Sequence, residues 1–148
     1  MLFIDADNFI KHPDDQPISL KCLKQPANNF NPQRYRISGG VRISVKESVE
    51  PGTVIEIETR IQDRMVSFQG RVIWIKESSN QTKQLGLVFD NVEEAYRARM
   101  IEQLCHIEHY LRRQNAEGRT LNARHAANEW INQFSPQFPQ IGVSLPTA

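Results

Sequence analysis

Three arginines flank a serine–glycine–glycine segment in the N-terminal half of the chain. A glycine pair lets a phosphate approach backbone N–H groups, and the guanidinium fork matches phosphate oxygens and the O6/N7 edge of guanine. The segment is therefore a candidate nucleotide site, against the alternative of a solvated hairpin with scattered positive charge. Its residues are Arg34, Arg36, Ser38, Gly39, Gly40 and Arg42.

A second cluster lies far along the chain. Glu102, His106 and His109 stand at positions i, i+4 and i+7, so a helix would place all three on one face. A carboxylate and two imidazoles at this spacing could hold a divalent metal, but such a site recruits a further ligand and the sequence nominates none. The pattern favours a polar face that contacts solvent or a protein partner, and we predict no metal.

Motifs of known catalytic chemistry are absent from the sequence. It contains no GxSxG elbow, no Walker loop and no dinucleotide-binding fingerprint. The N-terminal DADN fails as a calcium loop because Ile10 stands where such a loop needs glycine. Cys22 and Cys105 lie within or beside apolar patterns and are predicted to be reduced, inert core thiols. We therefore expect a protein that is not an enzyme and carries no resident cofactor.

The composition is that of one globular domain. The 148 residues are 39% apolar and 24% charged, and the formal net charge is +1. This balance does not predict bulk binding to nucleic acid or to a membrane surface. No apolar run approaches the ~20 residues that span a bilayer. The N-terminus carries acids where a signal peptide would be positive, so the expected location is the cytoplasm.

Alternating apolar residues predict five strands. Phe68, Val72, Trp74 and Phe89 are assigned to inward faces, with Gly70 marking a bend or bulge. The strands are PISLKCLK (17–24), VRISV (41–45), TVIEIETRI (53–61), MVSFQGRVIWIK (65–76) and QLGLVFD (84–90).

Beyond Phe89 the apolar period changes from 2 to about 3.6, which predicts two helices. Asn91, with Glu94 three residues on, resembles a capping box at the start of a helix of about five turns. After Gly118, Thr120 is expected to cap a shorter helix with Trp130 on its apolar face, and the tail from residue 135 is predicted to be loose. The predicted apolar stripe of the long helix is Tyr96, Met100, Leu104, Ile107 and Leu111.

Several short motifs, taken in order, resemble the PilZ family. Ser-Gly-Gly leads into a strand, Pro-Gly-Thr (51–53) forms a turn, GRVIWI (70–75) follows, and a glycine-containing strand ends in Phe89 before an acidic helix start. HPDDQPISL (12–20) is similar to the family's entry into its first strand, so the resemblance covers residues 11–112.

This resemblance implies a mainly β fold with C-terminal α structure. The expected architecture is a small antiparallel six-stranded β-barrel of split-barrel type, followed by one long and one short helix. The expected parts are an N-terminal segment (1–16), the barrel with the long helix (17–113), and the second helix with its tail (114–148).

Many PilZ domains bind cyclic di-GMP, with Arg-x-x-x-Arg before the first strand and Asp/Asn-x-Ser-x-x-Gly after it. In this chain Lys11 and Asp15 stand at the two arginine positions, with His12 beside Lys11. Lysine lacks the guanidinium fork and aspartate repels phosphate, so two such losses would weaken a micromolar site roughly 10²-fold. The second motif also departs from the pattern, whether it is anchored on Ser38 or on Gly40.

The resemblance and these departures together predict a regulatory adaptor in cyclic di-GMP or motility signalling that acts mainly by protein–protein contacts. The two C-terminal helices could also form a homo-oligomer. The expected partner surface comprises Glu102, His106, His109 and Trp130.

Two alternatives remain open from the sequence. In the first, the chain is a direct cyclic di-GMP receptor in which Lys11 and His12 join the arginine-flanked loop in a rearranged site. In the second, which the sequence favours less, a small barrel binds single-stranded nucleic acid. That function would require Phe68 and Trp74 to be exposed beside basic residues.

Overall fold

The computed structural model describes residues 8–79 and 81–147, which form a β-sheet, two long C-terminal helices and a short paired tail. The strands are β1 (Phe9–Lys11), β2 (Ile18–Lys24), β3 (Tyr35–Arg36), β4 (Gly40–Val45), β5 (Val54–Ile61), β6 (Arg64–Glu77), β7 (Lys83–Val88) and β8 (Leu145–Pro146). The helices are α1 (Val92–Ala116) and α2 (Ala123–Phe134), with single 3-10 turns at Pro32–Arg34 and Ser135–Gln137.

Six strands form one sheet in the order β1-β4-β7-β6-β5-β2. The neighbouring strands are antiparallel, except that β1 runs parallel to β4. The expectation of a mainly β fold with C-terminal helices is confirmed, but the closed antiparallel barrel is wrong, because the sheet is open and mixed. β1 and β2 are its edges, and the connection between them turns onto α1 instead of continuing the ladder.

The alternation predicted for the central strands is confirmed, with one exception. Ile55 and Ile57 of β5 are fully buried, as are Phe68 and Val72 of β6. A register shift between Val72 and Trp74 then inserts one extra residue, and a β-bulge of this kind moves the following side chain to the other face. Trp74 therefore leaves the main core and packs against Phe9, with ring centroids 5.5 Å apart.

The inward face of α1 differs from the predicted apolar stripe. Tyr96 is 65% exposed and Leu104 is 38% exposed, whereas Ala95, Ala98 and Cys105 are buried against the sheet. Small side chains let the helix axis approach the sheet closely, so the helix turns them inward and leaves the larger residues outside. The prediction of the helix is confirmed. The prediction of its stripe is wrong at Tyr96, Met100 and Leu104, but Ile107 and Leu111 are partly buried against the cluster around Trp130.

The last part of the chain is ordered by a second apolar cluster. Trp130 of α2 and Phe138 are buried together with Ile10 and Tyr110. The cap of α2 is Asn122, whose side chain accepts a 2.8 Å bond from the His125 N–H, and not the expected Thr120. The tail is not loose, since Phe138 and Ser144 are buried and β8 pairs with β3.

Two further observations bear on the expectations. Cys105 is buried as predicted, but Cys22 lies exposed on the edge strand β2 and is not a core thiol. Among the residues described, no helix combines the length and the apolar character needed to cross a membrane.

Candidate functional site

The Ser38–Gly40 loop joins β3 to β4, with Ser38 exposed and the two glycines in close contact with the rest of the chain. Gly39 adopts φ +78°, a backbone conformation that glycine tolerates best, and a Cβ there would lie 2.9 Å from the Gln140 carbonyl oxygen. Gly40 is buried against the Leu87 carbonyl and the Phe9 ring, where a Cβ would collide. Close approach of protein backbone therefore explains both glycines.

The C-terminal strap, which we define as residues 138–147, covers this loop. Ser38 donates its N–H to the Ser144 hydroxyl at 2.9 Å and accepts a 2.7 Å bond from the Gly142 N–H. Thr147 donates both its N–H and its hydroxyl to the Arg34 carbonyl, at 2.6 and 2.7 Å. The backbone groups of residues 34–38 that a ligand would meet are thus engaged by the strap.

The three arginines of the candidate nucleotide site occupy two different places. Arg34 and Arg36 are exposed at the start of the loop, next to the strap. Arg42 is half-buried on β4, where it lies beside Lys11 of β1 in the parallel register. The structure therefore places Lys11 and Arg42 as neighbours, and Arg34 and Arg36 as a separate pair.

His12 is the centre of a buried ion pair with α1. Its Nδ1 lies 2.7 Å from Glu102 Oε2, and its Nε2 lies 2.8 Å from the Gln16 carbonyl oxygen. Both neighbours accept hydrogen bonds, so both ring nitrogens donate and the imidazole is cationic. Burial opposes this charge, but the charge and hydrogen bond of Glu102, with the Gln16 carbonyl, outweigh it and raise the pKa of His12 above its usual value.

Asp15 extends the same attachment at the surface. Its carboxylate accepts bonds from His109 Nδ1 at 2.8 Å and from Arg112, and Arg112 also donates to the Gln16 side chain at 2.9 Å. Desolvation is outweighed by these bonds from Arg112 and His109, which lower the pKa of Asp15 to about 2. We call the attachment of His12, Asp15 and Gln16 to α1 the N-terminal clasp.

The expected partner surface is largely buried. Glu102 is 0% exposed and His106 and Trp130 are also buried, so the predicted exposed polar face is wrong. His106 Nε2 donates to the Lys11 carbonyl at 2.9 Å, and burial is the main cause that lowers its pKa to about 4. Only His109 is partly exposed, and it contacts Asp15.

The structure also lacks the convergence of side chains that a metal site on this helix face would need. Glu102, His106 and His109 each contact a different group of the N-terminal segment and do not converge. Instead, ligand atoms of His12, Glu102 and Cys105 lie within 4.8 Å of one another. Both imidazole nitrogens of His12 are already hydrogen-bonded, and burial followed by the charge of Glu102 raises the pKa of the Cys105 thiol, so the arrangement is that of an ion pair beside a neutral thiol.

An exposed apolar surface lies elsewhere on α1, and three of its residues, Tyr96, Met100 and Leu104, belong to the stripe that the sequence had predicted to be buried. Val92 is 70% exposed, and the row continues with Tyr96, Met100 and Leu104 at intervals of four residues. Met65 of β6 flanks the row across a groove of about 660 Å³, with Glu93 and Arg97 at its rim. We call Met65, Val92, Tyr96, Met100 and Leu104 the α1 ridge.

Comparison with known proteins identifies one family. The model of the PilZ domain matches residues 37–106, which run from the Ser38–Gly40 loop to the middle of α1 and make up just under half of the chain. This confirms the resemblance drawn from the motifs. Neither the curated proteins nor the solved structures include a match. Lys11, His12, Arg34 and Arg36 lie outside the matched segment.

Proposed function

Residues 37–106 are a PilZ domain, and from this premise we propose that the chain is a non-catalytic regulatory module of cyclic di-GMP-related signalling that acts through a protein partner. The observation that carries this proposal is the exposed α1 ridge. PilZ domains are generally binding modules without catalytic chemistry, which agrees with a sequence that lacks catalytic motifs. The proposed location is the cytoplasm, where cyclic di-GMP acts.

The α1 ridge has the shape of a helix-docking surface. Val92, Tyr96, Met100 and Leu104 form one i, i+4 row, and such rows pack into the grooves of a second helix in the commonest class of helix contact. Contiguous exposed apolar side chains rimmed by polar residues mark interaction sites in soluble proteins. Tyrosine and methionine are also enriched in the cores of protein interfaces.

The groove beside the ridge adds a requirement on the partner. Glu93 and Arg97 line it one turn apart, so its rim carries both signs of charge. Rim charges contribute more to orientation and association rate than to affinity. We infer that the partner presents an amphipathic helix whose apolar row meets the ridge and whose flanking charges oppose Glu93 and Arg97.

The residues at the nucleotide-motif positions support the adaptor over the receptor. Asp15 stands at a position where the family carries arginine, and its depressed pKa keeps it anionic. His12 is committed to Glu102, and Ser38 is committed to the strap. Direct binding of cyclic di-GMP therefore requires a rearranged site.

A direct receptor remains the second candidate because Arg34 and Arg36 are exposed next to the loop. If it is correct, replacing Arg36 and Arg42 together by alanine weakens cyclic di-GMP binding, as titration calorimetry would show. Unchanged affinity in Arg36→Ala, Arg42→Ala would remove this candidate. Single-strand nucleic-acid binding lacks its required surface, since Phe68 is buried in the core.

Photo-crosslinking in the bacterial cell tests the adaptor. A photoreactive amino acid at Tyr96 or Met100 is expected to yield a discrete adduct with one partner, and the adduct should form more slowly in the presence of Glu93→Ala, Arg97→Ala. The matched control carries the same group at Arg113, which is exposed on the same helix but outside the ridge. Equal adducts at Arg113 and Tyr96, or none at the ridge, would contradict the proposal. An adduct with a second copy of this chain would identify the homo-oligomer as the assembly.

A further inference from the structure

We propose that the C-terminal strap is an autoinhibitory element that closes the Ser38–Gly40 loop to phosphate-bearing ligands and opens it by local detachment. The strap lies apart from the α1 ridge, so this inference goes beyond the adaptor role and does not depend on it. The observation that carries it is the set of backbone hydrogen bonds between residues 142–147 and residues 34–38.

The strap takes the groups that would bind an anion. The Ser38 N–H, which is the type of donor that cradles phosphate oxygens, is bonded to the Ser144 hydroxyl. The Gln140 carbonyl oxygen stands over Gly39, where a Cβ would be only 2.9 Å away. A carbonyl oxygen carries partial negative charge, so it repels an anion from the glycine pair as well as filling the space.

The arginine side chains that would attract a phosphate-bearing ligand are exposed to solvent. Arg34 and Arg36 are exposed, and Thr147 bonds the backbone carbonyl of Arg34 itself. A phosphodiester could approach these guanidinium groups from solvent but could not reach the Ser38 N–H while the strap is seated. The arginines beside the loop are thus available to a ligand, whereas the Ser38 N–H is occupied by the strap.

The two ends of the strap are held very differently. At its start, the Phe138 ring is buried and packs against Trp130 and His106, with 5.4 Å between ring centroids in each case. Arg99 of α1 donates to the Pro139 carbonyl at 2.8 Å. These contacts keep the start in place when the rest moves.

The far end is held mainly by hydrogen bonds. β8 pairs with β3 over only two residues, and Leu145, Pro146 and Thr147 are exposed. Detachment of such a segment exposes little apolar surface to water, and segments with few buried contacts open locally at low free energy. Ile141 packs against both apolar clusters and stays in place with Phe138. Residues 142–147 carry no buried apolar side chain, so they can leave once Ser144, which is 0% exposed, gives up its 2.8 Å bond to the Phe89 carbonyl.

Gly142 provides the means to displace the strap without changing the loop. It packs against Ser38, and a Cβ at residue 142 would collide with the Ser38 hydroxyl. The Ser38 hydroxyl can rotate away, but the Ser38 Cβ lies 3.0 Å from the added Cβ, so the branched side chain of Gly142→Val should crowd the loop and loosen the strap in the full-length protein. Hydrogen exchange at the amides of residues 142, 144 and 147 reports the release, because each of these N–H groups is bonded in the closed form.

The test is titration calorimetry with cyclic di-GMP as the probe, and GTP and inorganic phosphate as comparison ligands. We expect Gly142→Val to bind cyclic di-GMP at least tenfold more tightly than the wild type, and Gly142→Val, Arg36→Ala to lose that gain. The control Leu145→Thr changes an exposed side chain, keeps the backbone bonds and should behave as the wild type.

A second variant guards against misfolding of the first. Thr147→Pro removes the N–H that bonds the Arg34 carbonyl at the exposed end of the strap and should give a smaller gain in the same direction. Equal affinity of the wild type and both variants, or no binding by either variant, would overturn the proposal. Neither outcome bears on crosslinking at Tyr96, so the adaptor role stands or falls separately.

Discussion

The N-terminal clasp and the C-terminal strap both fasten a terminal segment to the rest of the chain, but by different interactions. The clasp buries a charged pair, His12 and Glu102, and removal of either residue would leave the other buried without its partner. The strap relies on backbone bonds whose groups can return to water. Burial and charge make the first attachment permanent, whereas the lack of buried apolar side chains beyond Ile141 makes residues 142–147 of the strap releasable.

The largest expected effect comes from breaking the buried pair. His12→Ala leaves Glu102 buried without its counter-ion, so the free energy of unfolding should fall by about 3–5 kcal/mol. Urea denaturation followed by circular dichroism measures this change. The double variant His12→Leu, Glu102→Met, which removes both charges, should recover most of the loss. A loss below ~1 kcal/mol in His12→Ala would show that the pair is not the main attachment.

The pH dependence of stability should follow the same groups. The pKa of His12 is raised in the folded state, so its contribution is full below about 6.5, the unfolded value, and is lost as pH rises through the folded pKa. The pKa of His106 is lowered to about 4 and that of Asp15 to about 2, so the stability associated with these two groups is lost as pH falls. Denaturation midpoints should therefore peak near neutral pH. His12→Gln should remove the decline between neutral pH and about 9, above which the Cys105 thiol ionises in the unfolded chain and lowers stability in its own right. Persistence of the decline between neutral pH and about 9 in that variant would contradict the assignment.

The exposed part of the clasp should matter less. Asp15→Asn weakens bonds to His109 and Arg112, which are partly exposed, and exposed ion pairs contribute ~0.2–1 kcal/mol. The effect should shrink further at 1 M salt, since screening acts on exposed charges. A loss comparable with that of His12→Ala would erase the distinction between the buried and the exposed parts of the clasp.

The smallest effect is expected on the α1 ridge. Tyr96→Ser and Met100→Ser replace exposed side chains and should change the free energy of unfolding of the isolated protein by within ~0.5 kcal/mol. By contrast, Ala98→Leu on the buried face of the same helix should cost about 1–3 kcal/mol through overpacking. Thermal or urea denaturation of the three variants compares the two faces. Equal losses would mean that the ridge is part of the core.

The sequence predicted the five longer strands and both helices, but it missed the short strands β1, β3 and β8 and only partly predicted which residues are buried. Alternation in β4 and β5 identified the buried residues correctly, because a strand has only two faces to choose between. Gly70 predicted a bend or bulge in this strand, but the register shift lies between Val72 and Trp74, so Trp74 was assigned to the wrong face. In α1, size misled the assignment, since Ala95 and Ala98 pack more closely than the larger Tyr96.

The candidate site was predicted only in part for a related reason. The loop at Ser38 was identified from its residue types, but its occupant is more than a hundred positions away, at Ser144. The partner of Glu102 is likewise 90 positions away, at His12. Helical spacing placed Glu102 and His106 together, but it could not show that the N-terminal segment covers them.

Native-state hydrogen exchange, resolved by amide, tests most directly whether the clasp is permanent and the strap releasable. The His12 N–H bonds the Arg42 carbonyl at 2.9 Å next to the ion pair, and the Gly142 and Thr147 N–H groups bond residues 38 and 34. We expect the His12 amide to exchange only with global unfolding, and the Gly142 and Thr147 amides to exchange through local opening at least a hundredfold faster than global unfolding allows. Equal protection of all three amides would contradict the releasable strap, and rapid exchange at His12 would contradict the permanent clasp.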